Sequence, residues 1–145
     1  MSEENKEVIR KVEAAWNAGK VDELDQYFAA DFHPHSTPPG MPAALETAKM
    51  AHGMGMNAFP DRKIENLDMV AEGDKVFLRN RITGTNKGGA FWLGVPEGNG
   101  KSIDFESWSV YRLKDGKVVE HWGLNDGMLG MIQLGSIEPP KMPGT

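Results

Sequence analysis

The run Lys117-Val118-Val119-Glu120-His121-Trp122-Gly123-Leu124-Asn125-Asp126 ends on a carboxylate at the point where an apolar helical segment begins. An acid at the end of a half-buried strand, with an imidazole and an indole a few residues upstream, has the makings of a desolvated acid/base site. Asp126 is the candidate general acid/base and His121 its candidate companion. Each has a second reading from the same residues. Asp ahead of a helix is a favoured N-cap, because its oxygens accept from backbone N–H groups that the first turn leaves free. Strand alternation puts Trp122 and Asp126 on one face and His121 on the other, so His121 also reads as a hydrogen-bonded sheet histidine.

Burial among apolar walls disfavours a charged carboxylate and raises its proton affinity, which makes it a better base near neutral pH. Such a group could take up and give back a proton in acid/base chemistry on a bound small molecule. Negative charge developing on such a ligand needs hydrogen-bond donors, for which Trp122, His35, Asn86 and Arg79 are the candidates. Trp92, in the short apolar run Phe91-Trp92-Leu93 among glycines, marks a candidate ligand entrance. Met50 and Met54 would line an adaptable apolar cavity if they converge with the later methionines, or fill the core if they do not. His33 and His35 flank Pro34, but no Asp or Glu joins them at ligand spacing, so no metal is expected. Arg79 and Arg81 share a strand face, with Asp104 and Glu106 as acid partners if they are buried, and a solvated sheet face or a dimer contact as the readings if they are exposed.

These residues need elements to hold them. Val8, Ile9, Val12, Ala15 and Trp16 carry the three-and-four spacing of an amphipathic helix over 3–18, and a shorter helical stretch follows over 21–28. The three prolines within 31–40 predict a long irregular loop, after which helical character resumes from about Pro42 toward Phe59. From residue 61 the period changes to two. Strands are predicted at 64–71, 75–84, 101–113 and 117–125, joined as antiparallel hairpins by turns at Gly73 and Gly116. Helices followed by strands define an α+β class with the helices on one face of a curved sheet.

The 145 residues suit one domain, 1–145, that buries a core without metal or disulfides, and the absence of Cys removes thiol nucleophiles. A net charge of −5 argues against nucleic acid as a partner, since phosphate binding needs a basic surface. No apolar run reaches the roughly 20 residues of a membrane span, and the acidic start lacks the pattern of a secretion signal, so a cytoplasmic protein is expected. No Gly-rich phosphate loop follows a strand, which leaves a nucleotide cofactor without a seat.

In order along the chain, Phe59-Pro60-Asp61, Glu72-Gly73-Asp74-Lys75-Val76 with Arg79 beyond it, Thr83-Gly84-Thr85, Leu93-Gly94-Val95-Pro96, Tyr111-Arg112 before Asp115-Gly116-Lys117, and Glu120-His121-Trp122 leading to Asp126 and Gln133-Leu134-Gly135 resemble the SnoaL-like polyketide cyclase family. The resemblance implies a cone-shaped α+β fold: three N-terminal helices on a strongly curved antiparallel sheet enclosing a pocket, and a short C-terminal helix. It implies intramolecular aldol condensation of a polyketide-like ligand by one pocket Asp, Asp126 by the motif, without metal or organic cofactor. Epoxide hydrolysis, isomerisation, dehydration and simple binding of a small apolar ligand are the alternatives the wider superfamily leaves open. A homodimer is expected through the outer sheet face, with Phe105 and Tyr111 as candidate contacts.

Overall fold

The computed structural model describes residues 2–144. Helix α1 (Ser2–Ala18) is followed by a 3-10 turn (Val21–Gln26) and strand β1 (Phe28–Pro34). Helix α2 (Leu45–Ala58) leads to β2 (Lys63–Glu72) and β3 (Lys75–Thr85). After a one-turn 3-10 segment (Phe91–Leu93) come β4 (Ser102–Lys114), β5 (Lys117–Asn125) and the short helix α3 (Gly127–Leu134). The five strands form one sheet in the order β1-β5-β4-β3-β2, giving the α+β class expected from the segregated pattern. Among the described residues, no helix is long and apolar enough to cross a membrane.

The last four strands run antiparallel as hairpins, and their bounds fall close to those read from the period of two. Residues 28–34 depart from the expectation of a helical stretch ending at 28 and an irregular loop over 31–40. They form an edge strand that runs parallel to β5, pairing Phe28 with Val118 and Pro34 with His121. Proline is tolerated on a sheet edge, where its missing N–H leaves no ladder bond unmade. The N-terminal layer is therefore two α-helices and a 3-10 turn, with α2 starting at Leu45 rather than at Pro42.

The inner face of the sheet explains where a cavity can form. Along β3 it presents Val76, Leu78, Asn80 and Ile82, and on β4 the paired positions are Tyr111, Ser109, Ser107 and Phe105. On β5, Asn125, Gly123 and His121 complete the same rows. The ends of these rows are apolar and the middle is polar or small. One end joins Ile9, Val12 and Ala15 of α1 with Phe28, Phe32 and Val118 in a buried cluster; the other joins Phe59, Leu93, Ile103 and Leu134. Leu78 is fully buried in the first cluster, and its truncation to Ala is expected to cost about 2–5 kcal/mol. Phe105 and Tyr111 belong to the inner rows and are buried, so neither is an outer contact. The outer parity falls instead on Glu106, Trp108 and Val110.

Candidate active site

The polar middle of the inner face opens between α1, α2 and the sheet as a cavity of about 310 Å³. Aromatic and aliphatic walls come from Trp16, Phe28, Phe32, Ile64 and Ile82. Into them project Glu13, Asn80, Ser107, Ser109, Tyr111 and His121, with His52 and Arg62 also on the lining.

Glu13 stands four residues after Ile9 and three before Trp16, so the helix period sets a carboxylate on the stripe that α1 turns toward the sheet. Asn80 Nδ2 donates to Glu13 Oε1 at 2.8 Å, and Asn66 Nδ2 donates to Asn80 Oδ1 at 2.9 Å, which fixes the amide. Burial pushes the Glu13 pKa above the usual carboxylate value, against the smaller lowering effect of the Asn80 bond. Tyr111 is buried beside it, and burial together with the Glu13 charge holds its hydroxyl firmly protonated.

His121 does reach this cavity. Its Nε2 lies 3.1 Å from Ser109 Oγ, and its ring centroid is 4.6 Å from that of Tyr111. Burial first, and the nearby His35 second, bring its pKa down to about 4, so the imidazole is neutral at neutral pH. The ring has room because position 123 is glycine: a Cβ there would meet His121 Cε1 at 3.0 Å. A second neutral imidazole, His52, is likewise brought to about 4 by burial and then by the charge of Arg62. Arg62 Nη2 donates to His52 Nδ1 at 2.8 Å, and the His52 ring tilts against Trp16 at 4.7 Å.

Asp126 lies elsewhere. It is exposed, forms the N-cap of α3 by accepting from Leu129 N at 3.2 Å, and lines an outer groove with Arg81, Trp108 and Leu124. The geometry favours the capping reading, and strand phase is correct in setting Asp126 with Trp122, but that shared face looks outward. Trp122 stacks on His35 with centroids 4.5 Å apart, and His35 Nε2 is 2.7 Å from Glu120 Oε2. Arg79 is also outside, paired with Asp68 at 2.7 Å and Glu106 at 3.2 Å, while Arg81 pairs with Asp104. Asn86 is 0% exposed and braces a loop, donating to Glu97 O and Asn99 Oδ1 and accepting from Gly89 N. Trp92 and Met50 are exposed, and neither they nor Met54 line the cavity, to which α2 presents Ala48, Ala51 and His52. Of the residues singled out in the sequence, the cavity holds His121.

Helices on a curved sheet around an apolar cavity with a few convergent titratable groups define a class of small cavity proteins in which that cavity is the default ligand site. The match to the family model described as SnoaL-like polyketide cyclase extends over residues 6–134, and the chain belongs to that family. Among solved structures, a candidate polyketide cyclase from Bacillus cereus is 31% identical, with 92% of this chain and 82% of that one covered and a TM-score of 0.78. AclR from Streptomyces galilaeus, described as a candidate hydroxylase, is 26% identical over 99% of this chain and 91% of its own, with a TM-score of 0.82. IdmH from Streptomyces antibioticus, described as a candidate polyketide cyclase, is 28% identical over 90% and 98%, with a TM-score of 0.77. No functionally curated protein matches the chain in sequence.

Proposed function

We propose that the inner cavity closes a ring in a polyketide-like substrate by intramolecular aldol condensation, with Glu13 as the general acid/base. The observation that carries this reading is a half-buried carboxylate of raised proton affinity on the wall of an apolar cavity that also holds a neutral imidazole. Glu13 takes the proton of a carbon flanked by two carbonyls, the resulting enolate attacks a third, tethered carbonyl of the same molecule, and Glu13 returns the proton to the new alkoxide. The proton between two carbonyls is acidic enough for a carboxylate to remove, so the step calls for no organic cofactor. Neutral His121, bonded to Ser109, and the Tyr111 hydroxyl are the donors within the same walls for the developing oxyanion. Among the described residues Glu13 is the one carboxylate on the lining, which suits carbanion chemistry better than the paired acids of a water-activating hydrolase.

Ring closure of a 1,3-dicarbonyl compound that carries a third, tethered ketone tests the assignment. Glu13→Gln keeps the oxygen that accepts from Asn80 and is expected to lower kcat by about 10²- to 10⁴-fold. His121→Asn should lower it by a smaller factor, and Asp126→Asn should leave it within about twofold. Loss of turnover in the Asp126 variant with full activity in Glu13→Gln would overturn the assignment and return the acid/base role to Asp126. Tight ligand binding by a wild-type protein that turns nothing over would favour a binding module.

A further inference from the structure

The chemistry assigned to Glu13 and His121 leaves one charged group of the cavity without a task. Arg62 follows the Phe59-Pro60-Asp61 turn, where the Asp61 carboxylate accepts from Thr85 N and Thr85 Oγ1 at 2.8 Å each, and Arg62 N donates to Phe59 O at 2.9 Å. Its backbone is therefore held as it enters β2. Its guanidinium is half-buried on the cavity wall, where desolvation lowers its pKa. The side-chain partner, His52, supplies a hydrogen-bond acceptor but no negative charge.

Every other arginine of the chain, Arg10, Arg79, Arg81 and Arg112, stands in an ion pair. Among the described residues no carboxylate pairs with Arg62, and Glu13, the acid on the same lining, is engaged by Asn80. A desolvated cation without a counter-charge is destabilising unless something supplies one. Helix α2 also gives up stability to seat it. Gly55 lies buried in the helix interior, where glycine is unfavourable by roughly 0.5–1 kcal/mol relative to Ala, and a Cβ there would overlap the Arg62 guanidinium.

We propose that Arg62, oriented by His52, is an anion-recognition subsite that takes the carboxylate of an aromatic or polyketide-like ligand seated between Trp16, Phe28 and Phe32. The planar guanidinium fork matches a carboxylate, and the aromatic walls match a flat unsaturated body. This rests on the cavity being the substrate site, and on no bond-making within it.

Calorimetry at pH 7.5 with 2-naphthoate and its neutral, nearly isosteric counterpart 2-naphthamide tests the subsite. The carboxylate is expected to bind about 10- to 100-fold more tightly, the range a charge-assisted hydrogen bond supplies. Arg62→Gln should abolish that preference while holding naphthamide affinity within about twofold. Gly55→Ala keeps the charge but displaces the guanidinium, and should cut the preference several-fold in a protein that melts no lower than wild type. Equal binding of the two probes, no binding of naphthoate, or an undiminished preference in folded Arg62→Gln would overturn the subsite. If Arg62→Gln does not fold, an unchanged preference in Gly55→Ala overturns it. The same titration on Glu13→Gln separates the two readings: the carboxylate preference persists there whether or not turnover is lost.

Discussion

Glu13 shows how a single residue ties function to stability. Its folded-state pKa is raised above 4.5, so the folded protein holds that proton more tightly than the unfolded chain, and stability falls as pH rises through the unfolded and then the folded value. Glu13→Gln is therefore expected to unfold at higher urea than wild type at pH 7, with the difference closing near pH 4. His121 and His52 act with the opposite sign. Unfolded imidazoles protonate near 6.5 while the folded ones stay neutral down to about 4, so stability present above pH 6.5 is lost as pH falls toward 4. Urea midpoints for wild type and His121→Gln between pH 7 and pH 4 check this, and parallel curves would contradict it. At this scale the sequence was half legible. The position of Glu13 on the apolar stripe, and of Asn80 in the inward register of Val76 and Leu78, could be read from spacing alone. That Asp126 looks outward could not, because alternation sorts residues onto two faces without saying which face is inside.

At the scale of elements, the junction of β5 and α3 is a capping problem. Asp126 Oδ1 accepts from Leu129 N, so Asp126→Ala is expected to lower stability by about 1 kcal/mol and Asp126→Asn by only a few tenths, as measured by denaturant unfolding. Equal losses in the two variants would mean that the charge, not the cap, matters. The phrases that carry the family resemblance act largely at this scale too. Asp61 clasps Thr85, Gln133 exchanges two hydrogen bonds of 2.8 Å with the Asp104 backbone, and Gly135 closes α3 at φ +83°. These residues stitch loops and α3 to the sheet, which is why they announce the fold more clearly than the site. The four hairpin strands were legible because one face of each is buried and their turns carry glycine. Strand β1 was not, since an edge strand reads as a proline-broken loop until its parallel partner, nearly a hundred residues away, is folded beside it.

For the whole molecule, the outer face of the sheet remains to be accounted for. Leu124 is 80% exposed and Trp108 51%, and with Leu67 and Leu129 they rim the outer groove that also holds Asp126. Phe77 packs edge-on against Trp108, extending this apolar surface along β3. A contiguous exposed patch of this kind favours a contact. Arg79 is already paired with Asp68 and Glu106 and Arg81 with Asp104, so a second copy meeting the face across a two-fold axis would bury apolar surface without stranding either arginine. We therefore expect a homodimer formed through Trp108 and Leu124, in place of the Phe105 and Tyr111 contacts anticipated from sequence. Light scattering at low micromolar concentration should report twice the 16.0 kDa chain mass. Leu124→Glu sets a charge at the centre of that contact, while in the isolated chain it changes only an exposed position. It should give a folded monomer with an unchanged melting profile at high dilution. A wild-type monomer at high concentration, or a Leu124→Glu dimer of undiminished affinity, would rule out pairing through this face.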